Sequence, residues 1–413
     1  MSRLDDILRR YTLDGEDTAG KLTGAAFLVT DKDGTIYTGS AGRLDLDSKS
    51  ALWTDKTLTW AASLTKLVTT VAIMQLVEKR RLSLDQDVRP LVPELRDARI
   101  LRRFDEHDKP IYEVNNQPIT LRQLLTHTSG ASYEFSDFVL TKWARTMPDR
   151  DLSRIQWSRQ EITNPLRFGP GEAWSYSAGL DWAGLLLETV TGISLGQYMQ
   201  ANIFDRLGMA DTGFWPDHIA HAAARTAADT KRRTDLTLGP ASSPTPEKHD
   251  LESGGAGLFT TAADFACLLR ELLRATQHGT QSQHGPSIVS TQTAREMLTP
   301  QLDEAQVRSL HRKVYNPSGH STFAPEFEVD EPLNYGLGGM LNTQDVPGKR
   351  RAGSIAWSGI LNSRWWLDPK TGIAAVLIVN VQSNGDPVAA KLYDELERAV
   401  YAHVVGGRVR SYM

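Results

Sequence analysis

The spacing of apolar and polar positions changes three times along the 413 residues. Residues from about 2 to 12 predict a helix, and two strand-like runs follow, Gly24 to Thr30 and Thr35 to Ser40. Asp31-Lys32-Asp33-Gly34 joins them, its Asp-Gly being a hairpin signal. Beyond Ser63, residues Leu67, Val68, Val71, Ala72, Gln75 and Leu76 recur at helical spacing before the polar Glu78-Lys79-Arg80-Arg81. From about 85 to 330 the chain reads as helices separated by long polar loops, including Thr226 to Glu252 and Ala275 to Ser287. Strands return at Gly353 to Trp357, Ser363 to Asp368 and Ile373 to Gln382, before a helix from about Asp386 to Val404. This order predicts an α+β architecture: an antiparallel sheet from both chain ends (1–95 and 330–413), flanked by helices, with a mainly helical domain (96–329) inserted.

Charge and composition narrow the function classes. With 46 basic against 50 acidic residues there is no basic field to attract nucleic acid. The runs Lys231-Arg232-Arg233 and Lys349-Arg350-Arg351 read as solvated loops rather than phosphate clamps. A single cysteine, Cys267, excludes an intramolecular disulfide and is compatible with a reducing compartment. Met1-Ser2-Arg3-Leu4-Asp5-Asp6 lacks the apolar core of a signal peptide, and no apolar run approaches the roughly 18 residues that span a bilayer. The expectation is a soluble, cytoplasmic protein without membrane contact, a monomer or weak homo-oligomer. The ten histidines show no H-E-x-x-H or paired metal spacing, and no phosphate-cradling glycine loop follows a strand, so neither metal nor cofactor is expected.

Three short constellations carry chemistry. Ser63-Leu64-Thr65-Lys66 sets a hydroxyl and an amine three residues apart, on one face of a helix that starts there. Free amides and the helix dipole at that end favour developing negative charge. The same tetrapeptide also suits an N-cap serine followed by a solvated lysine, so its neighbours matter. In Gly169-Pro170-Gly171-Glu172-Ala173-Trp174-Ser175-Tyr176 a turn presents a tyrosine just before the apolar helix Leu180 to Val190. A phenol there can relay a proton beside an ammonium, or simply cap a core. Ala356-Trp357-Ser358-Gly359-Ile360 reads as an edge strand whose small residues let backbone approach a ligand, with Trp365-Trp366 beyond.

Taken in this order, the three elements resemble the serine beta-lactamase, penicillin-binding and family VIII esterase superfamily, whose signature is S-x-x-K. The resemblance extends over Leu124-Leu125-Thr126-His127-Thr128-Ser129-Gly130, Leu207-Gly208-Met209, Ser253-Gly254-Gly255-Ala256-Gly257-Leu258 and Tyr335-Gly336-Leu337-Gly338-Gly339. Within the class C-like branch, Leu180-Asp181-Trp182-Ala183-Gly184 after Tyr176 and an insertion at about 97 to 119 look most like fungal esterases and statin-type polyketide transesterases. The resemblance implies a beta-lactamase/transpeptidase-like fold, with His127 as a structural part of its loop. Two departures weaken a lactamase or peptidase reading: Ala178 stands where lactamases place Asn, and Trp357-Ser358-Gly359 replaces their K-T-G.

Two look-alike motifs are set aside. Lys370-Thr371-Gly372 follows Asp368-Pro369 and reads as a turn between strands. Gly192-Ile193-Ser194-Leu195-Gly196 matches the G-x-S-x-G elbow, but a helix rather than a strand precedes it, which suits a C-cap glycine and then an N-cap serine.

The expected chemistry is acyl transfer through acyl-Ser63. Lys66 takes the proton, Tyr176 serves the leaving and accepting oxygens, and the amides of Ser63 and Ile360 hold the oxyanion. A free lysine titrates near about 10.4, so this role needs a depressed value or proton sharing with Tyr176. Trp60, Trp174, Trp357 and Trp365, with Ser358 and Gly359, are expected to wall an aromatic cleft for a bulky apolar substrate. Water as acceptor makes an esterase acting on a small-molecule ester. A secondary-metabolite alcohol, with an ester or thioester donor, makes an acyltransferase. A ligand-binding homologue without activity is the reading of another class.

Overall fold

The computed structural model describes residues 2–148, 150–152, 155–277, 287–382 and 384–405. Strands β1 (Gly24–Thr30) and β2 (Thr35–Gly42) form the predicted hairpin. From the far end of the chain come β9 (Leu333–Tyr335), β10 (Met340–Asn342), β11 (Ile355–Ser358), β12 (Arg364–Asp368) and β13 (Ile373–Val379). They make one antiparallel sheet in the order β2-β1-β13-β12-β11-β10-β9, with Ala25 opposite Val379 and Phe27 opposite Leu377.

β1 and β13 are apolar at nearly every position because both faces of the sheet are covered. Ala25, Phe27, Val29, Ala375 and Leu377 pack with Leu4, Leu8, Leu392 and Leu396 of the first and last helices, Ser2–Tyr11 and Pro387–Ala399. Ala26, Leu28, Val376 and Ile378 point the other way, into a core shared with Leu67 and Val71 of the helix Thr65–Glu78. The helix Ala262–Thr276 lies on β1 and β13 as well, so part of the sheet's cover comes from the segment expected to be inserted.

Several expectations are corrected. The stretch read as helices and loops also holds short ladders: β3 (Thr59–Trp60) with β8 (Phe259–Thr260), β4 (Arg99–Phe104) with β5 (Pro110–Val114), and β6 (Thr230–Arg232) with β7 (Leu238–Pro240). Two- and three-residue strands are too short for a period of two to register, and the charges of Arg99, Arg102, Arg103 and Glu113 mask it in the longer pair. In the Ala275–Ser287 stretch the helix runs on to Thr276, and 278–286 lie outside the described residues.

The basic runs are not simply solvated. Arg232 pairs with Asp386 at 2.7 Å, the side chains being 6% and 0% exposed. Arg350 pairs with Glu397 through two 2.8 Å hydrogen bonds, both side chains being fully buried. Lys349 is buried too, against Asp394. Carboxylates distant in sequence make this burial tolerable, and local charge patterning cannot show them. Both look-alike motifs are turns and caps. Thr371 donates from Oγ1 to Asp368 between β12 and β13, while Gly192 (φ +76°) ends the helix Gly179–Thr191 and Ser194 caps the next one.

Candidate active site

Ser63 sits in a tight turn, Ala62–Leu64, that runs directly into the helix Thr65–Glu78. That helix is buried all round from Thr65 to Leu76, and its polar side chains find partners inside. Thr69 Oγ1 donates to Gly254 O at 2.6 Å, and Thr65 Oγ1 accepts from Leu258 N at 3.1 Å. Ala62 has φ +47°, a left-handed conformation costly for alanine, held here just before the serine. The end of β11 presses on this turn. A Cβ on Gly359 would lie 2.9 Å from Ala61 O, so only glycine fits.

Lys66 is 1% exposed, one turn on from Ser63. Its Nζ donates to Gly255 O at 2.8 Å and reaches the Tyr133 hydroxyl at 3.3 Å and Ser63 Oγ at 3.4 Å. It also lies 4.7 Å from the centre of the Tyr176 ring. The Tyr176 hydroxyl donates to Ser63 Oγ at 2.6 Å and accepts from Trp357 Nε1 at 3.4 Å. The three groups predicted from sequence therefore meet.

The Leu124–Gly130 run holds Tyr176 in place. Ser175 N donates to His127 O at 3.0 Å, and Ala178 N to Ala131 O at 3.1 Å. His127 is fully buried at φ +61°, with Nδ1 2.8 Å from Ser177 Oγ. Burial pushes its pKa well below the usual histidine value, so its ring is neutral. Its place is structural, as the resemblance implied.

A sequence profile described as beta-lactamase matches residues 10–399. The chain belongs to the beta-lactamase family. Lovastatin esterase of Penicillium rubens is 34% identical over 364 residues, 86% of this chain and 88% of its own length. Monacolin J acid methylbutanoyltransferase of Aspergillus terreus is 31% identical, over 84% of this chain and 82% of that protein. The unliganded structure of simvastatin synthase from Aspergillus terreus superposes with a TM-score of 0.85 at 28% identity, covering 97% of this chain and 98% of that one. This beta-lactamase relative is an enzyme of the esterase and acyltransferase kind.

A cavity of about 790 Å³ opens over Ser63. Trp60, Trp174, Tyr176 and Trp357 line it, with Ser358, Gly359 and Ile360 along one side. Trp365 is not among them: it is fully buried in the sheet, its ring 6.3 Å from that of Phe265. Pairing along β12 alternates side chains across the sheet, which turns Trp365 into the core. β11 is not an edge strand, since β10 and β12 flank it. β10 pairs only with Ile355 and Ala356, however, so the Trp357 end projects past it into the cavity wall.

Sequence reasoning missed Tyr133 as a member of this centre and gave Asp181 and Gly255 no role. The Tyr133 hydroxyl donates from Oη to Asp181 Oδ2 at 3.0 Å. Burial, and then the Asp181 carboxylate, push the Tyr133 pKa well above the usual phenol value, so it stays protonated. Its signal was position, three residues beyond Gly130 at the end of the family's most specific run. Glu161 also lines the cavity, and burial raises its carboxyl to about 7 against backbone donors at Gln156 and Trp157.

Proposed function

We propose that this protein is a serine esterase that acts on neutral carboxylic esters of bulky, polyketide-like alcohols through an acyl-Ser63 intermediate. The observation that carries this reading is the 2.6 Å contact between Tyr176 and Ser63 Oγ with Lys66 Nζ at 3.4 Å on the same oxygen. In the proposed reaction Lys66 takes the Ser63 proton as Oγ attacks the ester carbonyl, and the amides of Ser63 and Ile360 receive the oxyanion. Tyr176 then protonates the leaving alkoxide and, as phenolate, takes a proton from the incoming acceptor. Ala178 and Trp357 support neutral esters, because neither supplies the amide or cation that a lactam substrate would use.

A second reading, acyl transfer to a metabolite alcohol, is favoured by the likeness to the methylbutanoyltransferase and to simvastatin synthase. The donor is then a small-molecule ester or thioester. The proposed setting is the cytoplasm, as a monomer or weak homo-oligomer working without nucleic acid or membrane. The proposed organisation is a sheet body of 1–95 and 330–413 carrying the inserted 96–329. Among the described residues no helix is long and apolar enough to cross a membrane.

A p-nitrophenyl short-chain ester, supplied with and without a polyketide alcohol, separates these readings by nitrophenol release and intact mass. Rapid turnover in water alone marks an esterase, whereas an acyl adduct discharged only by the alcohol marks a transferase. Ser63→Ala should lose about 10⁴-fold or more of the acylation rate, and Tyr176→Phe about 10²- to 10⁴-fold with the fold intact. Full activity in Ser63→Ala would overturn the proposal.

A further inference from the structure

A neutral lysine amine has two N–H groups and one lone pair, and it acts as a base only if that lone pair faces the proton to be taken. At Lys66 three oxygens compete for the amine: the Gly255 carbonyl O at 2.8 Å, the Tyr133 phenol Oη at 3.3 Å and Ser63 Oγ at 3.4 Å. A carbonyl can only accept. A phenol can do either, and a Tyr133 hydroxyl pointed at Lys66 would occupy the lone pair and silence the base.

The Asp181 carboxylate prevents this. It is 2% exposed, and both its oxygens are engaged. Oδ2 accepts from the Tyr133 hydroxyl at 3.0 Å, which commits that proton away from Lys66 and leaves the phenol oxygen as an acceptor toward the amine. Oδ1 accepts from Ser253 Oγ at 2.5 Å and from Gly255 N at 2.9 Å, which holds the residue whose carbonyl takes the other N–H of Lys66. The packing leaves no slack. A Cβ on Gly255 would lie 2.5 Å from Asp181 Oδ2 and 2.6 Å from the Tyr133 hydroxyl oxygen.

We propose that Asp181 is a positioning residue for the base: through Tyr133 and Gly255 it occupies both N–H groups of Lys66 and leaves the lone pair for the Ser63 proton. The proposal rests on the reading of Ser63 and Lys66 as nucleophile and base. In the step it serves, the Ser63 O–H bond breaks and its proton joins the Lys66 lone pair. The freed Oγ pair forms the bond to the ester carbon, and the carbonyl π pair moves onto oxygen.

The test is the single-turnover acylation rate at saturating p-nitrophenyl butyrate, together with the half-saturating ester concentration, on the full chain. The proteins compared are the parent, Ser63→Ala, Asp181→Asn, Tyr133→Phe and the Asp181→Asn/Tyr133→Phe double variant. Each single variant at Asp181 or Tyr133 should lower the rate by about ten- to a hundredfold with half-saturation changed by less than about twofold. The double variant should be no slower than the slower single, because Tyr133 acts only through its bond to Asp181, which Asp181→Asn already disturbs along with the Gly255 route. Rates within about twofold of the parent, losses that multiply in the double, or a change confined to half-saturation would each overturn the proposal. Parent-like turnover in Ser63→Ala overturns the nucleophile reading instead, and is scored separately. If circular dichroism shows Asp181→Asn unfolded, Tyr133→Phe decides alone, and an unchanged rate there overturns the proposal.

Discussion

Glu161 shows how far one half-buried side chain can set the behaviour of a site wall. Its carboxyl, raised to about 7 from an ordinary 4.5 chiefly by burial, holds a proton in the folded protein that the unfolded chain releases. Between about 4.5 and about 7 the folded state therefore binds more protons, and stability falls as pH rises through that window. Thermal melting across this range should show a smaller decline in Glu161→Gln than in the parent, and equal declines would exclude Glu161 as the source. No local pattern announces such a group. Ser63 and Lys66 were legible because three-residue spacing on a helix forces contact, and Tyr176 because a Pro/Gly turn delivers it to a helix start. Tyr133 and Asp181, 48 residues apart, become partners only through the fold.

Among the elements, the glycine loop at 253–257 is the tightest join. Gly254 passes between two helices, and a Cβ there would lie 2.5 Å from Leu180 O and 3.1 Å from Thr69 Cγ2. Gly254→Ala should cost about 1–3 kcal/mol in urea unfolding and slow acylation by displacing the Gly255 carbonyl from Lys66. Parent-like values for both would show that the loop can yield. Continuous apolar runs gave β1 and β13 away. The three-residue β9 and β10 were hidden, because the run Tyr335-Gly336-Leu337-Gly338-Gly339, quoted for the family resemblance, takes in the end of β9 and the four-residue connection to β10. The nucleophile helix was recognised from its apolar positions, but burial on every side follows from polar partners such as Gly254 and Leu258, which no helical period reveals.

At the scale of the molecule, the last helix is tied down by ion pairs that the sequence presented as surface charge. Arg350, between β10 and β11, clasps Glu397 of the helix Pro387–Ala399 with both side chains out of water. Removing one partner strands a buried charge, so Glu397→Ala should lose about 3–5 kcal/mol in chemical unfolding. A loss below about 1 kcal/mol would place the pair among exposed ones.

The sheet order has a consequence for the chain while it is being made. β1 emerges from the ribosome long before the neighbour on its inner side, β13, is synthesised, with Ala25 waiting for Val379. The Ser63 turn likewise waits for the Gly359 end of β11, and Tyr176 for the Trp357 indole. A polypeptide stalled before these strands carries the nucleophile without the wall that encloses it. Nascent and prematurely ended chains should thus be inert toward the esters around them, and the exposed edge of β1 makes them clients for chaperones.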